Sequence, residues 1–161
     1  MPIVVLYEPE IPPNTGNIAR LCAATFTELH IVGQTGFRMD NKALKRAGLD
    51  YWPQVRLFRH TSLEEFFAAN NWRKHFYFST HAKRNIYETE FDPDCSLIFG
   101  PETRGLPRSL IQDNPSSSIK IPMPNSNVRS LNLATSVGIA LFEVYRQCGF
   151  NSAYQAIKVK T

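Results

Sequence analysis

The stretch Ile121-Pro122-Met123-Pro124-Asn125-Ser126-Asn127-Val128-Arg129-Ser130-Leu131-Asn132-Leu133-Ala134, with the residues flanking it, decides how this chain folds. Upstream, Ile119 to Ile121 reads as a buried strand stopped by Pro122, whose nitrogen has no proton for a ladder. Downstream, from about Leu131 to Gln147, Leu133, Val137, Ala140, Leu141 and Val144 recur at helical spacing. They predict the longest helix of the chain, with one apolar side. Between strand and helix, Pro122 to Ser130 is a polar loop. This arrangement implies a ligand loop at the end of a parallel sheet.

The same alternation runs back to the N-terminus. Ile3–Tyr7, Leu29–Val32, Val55–Phe58, Phe76–Ser79 and Leu97–Phe99 read as five earlier strands, so that 119–121 is the sixth. Asn17–Ala24, with Ile18, Leu21 and Cys22 on one face, and Asn41–Ala47, closed by Gly48, read as helices. Thr61 and Ser62 precede Glu64 and Glu65 in two overlapping capping boxes, ahead of a helix that carries Leu63, Phe66 and Phe67. Strands alternating with helices predict an α/β fold, a mainly parallel sheet flanked by helices. The expectation is a single domain over 1–161, its core at about 3–150 and a polar tail at 151–161.

Ligands of such sheets bind beyond the carboxyl ends of the strands. Three loops fall there: Glu8–Gly16, Gly100–Pro107 and Pro122–Ser130. The first, nine residues with three prolines, is longer than a βα connection needs.

Common site motifs are absent. Pro12-Pro13-Asn14-Thr15-Gly16-Asn17 stands where a dinucleotide fold would carry G-x-G-x-x-G. There is no Walker A lysine, no H-E-x-x-H and no G-x-S-x-G. His30, His60, His75 and His81 show no ligand spacing, so no metal is expected. Cys22, Cys95 and Cys148 are far apart and odd in number, as suits ordinary thiols in a reducing cytoplasm. No run of 18 apolar residues suggests a membrane span, and the N-terminus reads as a strand rather than a signal peptide. The 161 residues carry a net charge of +4, which permits a polyanionic partner without demanding one.

Three segments together resemble the SPOUT superfamily of RNA methyltransferases. They are Asn14-Thr15-Gly16-Asn17-Ile18-Ala19-Arg20, Phe99-Gly100-Pro101-Glu102-Thr103-Arg104-Gly105-Leu106, and Ile121-Pro122-Met123 with Arg129-Ser130-Leu131-Asn132-Leu133-Ala134. The similarity covers about residues 3 to 150. It is closest to the small ribose-methylating members, and Leu6–Asn17 and Arg46–Tyr51 look like the TrmL-type enzymes, which methylate the wobble nucleotide of leucine tRNAs.

This resemblance implies a C-terminal trefoil knot, a homodimer and S-adenosyl-L-methionine as methyl donor, leaving S-adenosyl-L-homocysteine. The implied substrate is the ribose 2′-hydroxyl of a wobble cytidine or modified uridine in the anticodon stem-loop of tRNA. A different tRNA or ribosomal RNA ribose, or a non-catalytic RNA-binding protein of the same fold, remain the alternatives.

By the same resemblance the cofactor site comprises Phe78, Gly100, Glu102, Gly105, Ile121, Met123, Ser130 and Leu131. Gly100 and Gly105 would let backbone approach the ligand, and Ser130 would cap the long helix or touch ligand. Arg20, Glu102 and Asn132 are the expected catalytic residues. Glu102 is otherwise a solvated turn carboxylate and Asn132 a helix cap. Arg20 follows Asn14 by about one and two-thirds turns. Its guanidinium would activate the ribose hydroxyl, bind phosphate or stabilise a developing alkoxide; free arginine is a poor base. RNA contact is expected at Asn14, Arg20, Arg46 and Tyr145, the last equally a core or interface residue. Arg38, Lys42, Lys45, Lys83 and Arg84 are supporting basic groups, with Tyr51 and Trp52 as stacking candidates.

Overall fold

Ile3–Tyr7 (β1) supplies the centre of the fold because its side chains serve two cores at once. Val4 and Leu6 point into one cluster while Ile3 and Val5 point into the other, the period of two that a strand covered on both faces requires. The structure, a computed structural model, describes residues 1–37 and 52–149. The expected helix Asn41–Ala47, the residues Arg38, Lys42, Lys45, Arg46 and Tyr51, and the tail 151–161 lie outside them.

β1 leads into α1 (Pro12–Ala24) and β2 (Glu28–Val32). After a short 3-10 turn come β3 (Leu57–His60), α2 (Leu63–Ala69) and β4 (His75–Phe78). Then follow β5 (Arg84–Asn85), β6 (Ser96–Phe99), α3 (Arg108–Asp113), β7 (Ser118–Lys120) and α4 (Leu133–Cys148). Among the described residues every strand pair is parallel, in the order β3-β2-β1-β6-β4-β7-β5. β6 is thus inserted between β1 and β4, and β7 between β4 and β5. The carboxyl ends of β1, β6, β4 and β7 stand side by side in mid-sheet.

α1 and α4 cover one face and α2 and α3 the other. Val137, Ala140, Leu141 and Val144 of α4 have no exposed surface, and α4 lies against α1. Burying each large side chain contributes roughly 1.5–3 kcal/mol.

Several expectations shift. Pro12 and Pro13 do not extend the first loop; they occupy the first turn of α1, where a missing N–H costs nothing. The loop after β1 is therefore only Glu8–Ile11. β3 begins at Leu57, two residues later than expected, because Trp52–Gln54 forms the 3-10 turn and Val55 N–H bonds back to Trp52. Two elements were not legible, β5 and α3; two residues of strand and a six-residue helix carry little periodicity. Of the two capping boxes, Ser62 with Glu65 is half made: Ser62 Oγ accepts Glu65 N–H at 3.3 Å, while the Glu65 carboxylate accepts Thr61 N–H at 2.6 Å. Arg84 belongs to β5 and donates to the Ser116 carbonyl at 2.9 Å, so it is half-buried rather than a loop cation.

Candidate active site

The loops that leave β1, β4, β6 and β7 enclose a cleft of about 780 Å³, within the usual range for small-molecule sites. Phe78 and Phe99, the last residues of two neighbouring strands, stack at its floor with centroids 4.6 Å apart. All eight expected cofactor residues, Phe78, Gly100, Glu102, Gly105, Ile121, Met123, Ser130 and Leu131, line it. Asn14 and Asn132 line it as well.

Three of these side chains form one hydrogen-bonded relay. Asn14 Nδ2 donates to Glu102 Oε1 at 2.9 Å. Asn132 Nδ2 donates to Asn14 Oδ1 at 2.8 Å. Asn132 Oδ1 in turn accepts the backbone N–H groups of Ala134 and Thr135, at 2.9 and 3.3 Å. The carboxylate can only accept, so Asn14 must face it with its NH₂ group, and each amide after it has one orientation.

Glu102 does more than receive Asn14. Its Oε2 accepts Glu10 N–H at 2.9 Å and its Oε1 accepts Ile11 N–H at 3.1 Å. The N-cap residue of α1, Ile11, has no side-chain acceptor of its own. Glu102 provides one from the loop after the neighbouring strand β6, a favourable place for an anion at a helix start. The carboxylate is thus held by three N–H donors, not solvated in a turn. These bonds tie the β1 loop to the β6 loop and anchor the relay.

Asn132 is indeed the N-cap of α4, so capping and site membership coincide in one side chain. Ser130 is not the cap; it is exposed and lines the cleft two residues earlier. The two glycines also divide their tasks. A Cβ on Gly100 would stand 2.2 Å from the backbone of Gly105 and Leu106. Gly100 is therefore required by the loop folding onto itself, and it also lines the cleft. Gly105 has φ +69° and a Cβ there would meet nothing, which leaves open space on the cleft side.

The cleft suits a nucleoside-bearing cofactor. Asn125 ties the β7–α4 loop by accepting Asn127 N–H on Oδ1 at 3.0 Å and Val128 N–H on its carbonyl at 3.2 Å. The backbone of Met123 and Leu131 is not used in that turn. With an aromatic floor and no cluster of metal-ligating groups among the described residues, the lining matches a flat heterocycle held by backbone groups.

Arg20 is exposed on α1 in a stripe with Asn17 and Ala24, and it does not line the cleft. Six helical residues from Asn14 turn it away from that buried side chain. Tyr145 is 3% exposed. Its hydroxyl donates to the Thr25 carbonyl at 3.0 Å and pairs with Thr27 Oγ1 at 2.8 Å. That places it in the core, joining α4 to the α1–β2 turn, and corrects the expectation of RNA contact. Trp52 is half-buried against the same core.

Sequence reasoning missed Ser79, Thr80 and His81 after β4, and Arg108 and Arg129 at the rim. The strand-end rule applied to the fourth strand would have found the first three.

The SpoU rRNA Methylase family matches residues 1–142 of this chain. The tRNA (cytidine(34)-2′-O)-methyltransferase of Escherichia coli (strain K12) is 45% identical over 152 residues, covering 93% of this chain and 96% of that protein. A relative from Bacillus subtilis (strain 168), which bears the same name provisionally, is 49% identical over 147 residues, 89% of this chain and 91% of its own. A solved structure described as giving insight into the 2-OH methylation of C/U34 on tRNA superposes with a TM-score of 0.85 at 47% identity, over 92% and 96% of the two chains.

Proposed function

The chain belongs to the SpoU rRNA methylase family, and from that premise we propose that it methylates the ribose 2′-hydroxyl of the wobble nucleotide of tRNA. The base is a cytidine or modified uridine in the anticodon stem-loop, leucine tRNAs are the expected substrates, and the setting is the cytoplasm. S-adenosyl-L-methionine supplies an activated methyl on a sulfonium. The trefoil knot is a property this family implies.

The observation that carries this reading is the Glu102–Asn14–Asn132 relay on the wall of a cleft built from four adjacent strand ends. Backbone at Ile121, Met123 and Leu131 would hold the adenine edge, and Gly105 gives it room. Asn132 and Asn14 present oriented amides where the nucleotide sugar must enter. Methyl transfer needs two partners held in line and one proton removed. The relay serves the first requirement. Arg20, displayed on α1, is the group we assign to the RNA, binding phosphate or stabilising the emerging alkoxide.

A second copy of the chain supports the substrate. Phe26, in the turn after α1, and Phe142, on α4, are large apolar side chains left 48% and 46% exposed. We assign them to the interface of a homodimer. Phe142→Glu should shift sedimentation toward the monomer; an unchanged dimer would place the interface elsewhere.

The reading is tested by incubating the protein with methyl-labelled cofactor and bulk tRNA, then digesting to nucleosides. Label in 2′-O-methylated pyrimidine nucleosides supports it. Label on a base, or saturable cofactor binding without transfer, overturns it.

A further inference from the structure

Beside the relay lies a second set of bonds between the loops after β1 and β6. Glu10 and the 101–105 turn grip each other reciprocally. Glu10 gives its backbone N–H to Glu102 Oε2 at 2.9 Å. Its own carboxylate accepts Thr103 N–H at 3.1 Å and Thr103 Oγ1–H at 3.0 Å. Arg104 closes the clasp, donating to Glu10 Oε1 at 3.3 Å and to Glu8 Oε2.

The rest of the β1 loop is shaped to present these carboxylates. Glu8 holds φ 46°, a left-handed conformation uncommon for a side chain of its size. Its side chain lies over Gly33, where a Cβ would stand 2.8 Å from Glu8 Cγ. Gly36 N–H bonds to the Pro9 carbonyl at 3.0 Å, and a Cβ on Gly36 would meet Glu10 Cα at 3.1 Å. The β1 loop is thus pressed from one side by the β2 loop and latched on the other to the β6 loop. Backbone held in a costly conformation persists where its surroundings over-determine it.

We propose that Glu10 is a positioning residue for methyl transfer: its clasp on Thr103 and Arg104 fixes the turn that carries Glu102, and so sets the relay. Glu10 does not line the cleft; it acts through Glu102. The inference rests on the methyltransferase reading. An exposed ion pair alone contributes little, so the effect comes from the Thr103 bonds and the geometry they hold.

The test compares Glu10→Ala, Glu10→Gln and Glu102→Ala in the full chain. Amide hydrogen exchange over 8–14 and 101–105 is read without cofactor, and steady-state methyl transfer to tRNA is read with it. Glu10→Ala should speed exchange in both segments and lower kcat by ~10–100-fold, the scale of a small misplacement of reacting groups, with KM changed far less. Glu10→Gln should recover much of that loss, because its amide oxygen still accepts Thr103 N–H. Adding Glu10→Ala to Glu102→Ala should slow the enzyme no further. Wild-type kcat in Glu10→Ala, or Gln no better than Ala, or additive losses with Glu102→Ala, would overturn the proposal. A wild-type chain that transfers no methyl group would remove the methyltransferase reading itself, and the positioning role with it.

Discussion

Asn132 donates its side-chain N–H to Asn14 Oδ1 at 2.8 Å across 118 positions of sequence. The bond joins the N-terminal turns of α1 and α4, and Glu102 closes it from a third loop. If the three act as one unit, their substitutions will not add. Asn14→Ala and Asn132→Ala should each lower kcat by ~10–100-fold, from misplaced groups at the site, and the double variant should be little worse than either. Multiplicative losses in steady-state transfer would show independent roles. Asn132→Ala should also cost about 1 kcal/mol of stability as a lost helix cap, measurable by denaturant unfolding.

The two glycines of the β6 loop should fail differently. Gly100→Ala places a methyl group 2.2 Å from backbone atoms that cannot yield cheaply. About 3 kcal/mol of destabilisation, the upper part of the overpacking range, is expected. Gly105→Ala meets no atom and should cost about 1–2 kcal/mol for its left-handed φ alone. Equal losses in urea unfolding would contradict this division.

A pH effect follows from His30. It is 4% exposed, with Nδ1 against His60 Nε2 at 2.9 Å and Nε2 near Glu28 at 3.4 Å. Burial pushes its pKa down from 6.5 to about 4, despite the opposing Glu28 carboxylate. The unfolded chain therefore binds a proton that the folded chain refuses between those values. Stability conferred by the neutral ring is complete above pH 6.5 and is lost as pH falls toward about 4. His75, shifted the same way by burial and Arg73, adds to the slope. The melting temperature of His30→Leu should depend less on pH across this window; an equal slope would show that other groups govern it.

Arg20 is tested by separating binding from chemistry. Arg20→Ala should reduce methyl transfer by ~10²-fold or more, the scale of a lost charge-stabilising donor. Cofactor affinity, measured by calorimetry on the protein alone, should change little, since Arg20 lies outside the cleft. Parallel loss of both would mean that it supports the cofactor loops.

Much of this was legible in the sequence because it is local. Buried strands declare themselves as β-branched runs, and α4 by its apolar side. The cofactor loops followed from strand ends and the family motifs. What escaped depends on contacts between distant segments. Nothing in the spacing of Glu102 shows that it caps α1, since its partners lie 88 to 92 residues away. Pro12 and Pro13 suit both a loop and a helix start, and only the structure shows which. The spacing of Tyr145 suits core, interface and RNA contact alike; the bonds of its hydroxyl to Thr25 and Thr27, 118 to 120 residues away, decide for the core.

The most direct measurement maps the methyl group. Leucine tRNA from cells lacking the activity should be treated with the protein and S-adenosyl-L-methionine, then cut to oligonucleotides for mass spectrometry. A gain of one methyl on the ribose of the wobble nucleotide, slower to accumulate with Asn132→Ala, is the predicted result. A methyl group at any other nucleotide, or on the base, would contradict the account.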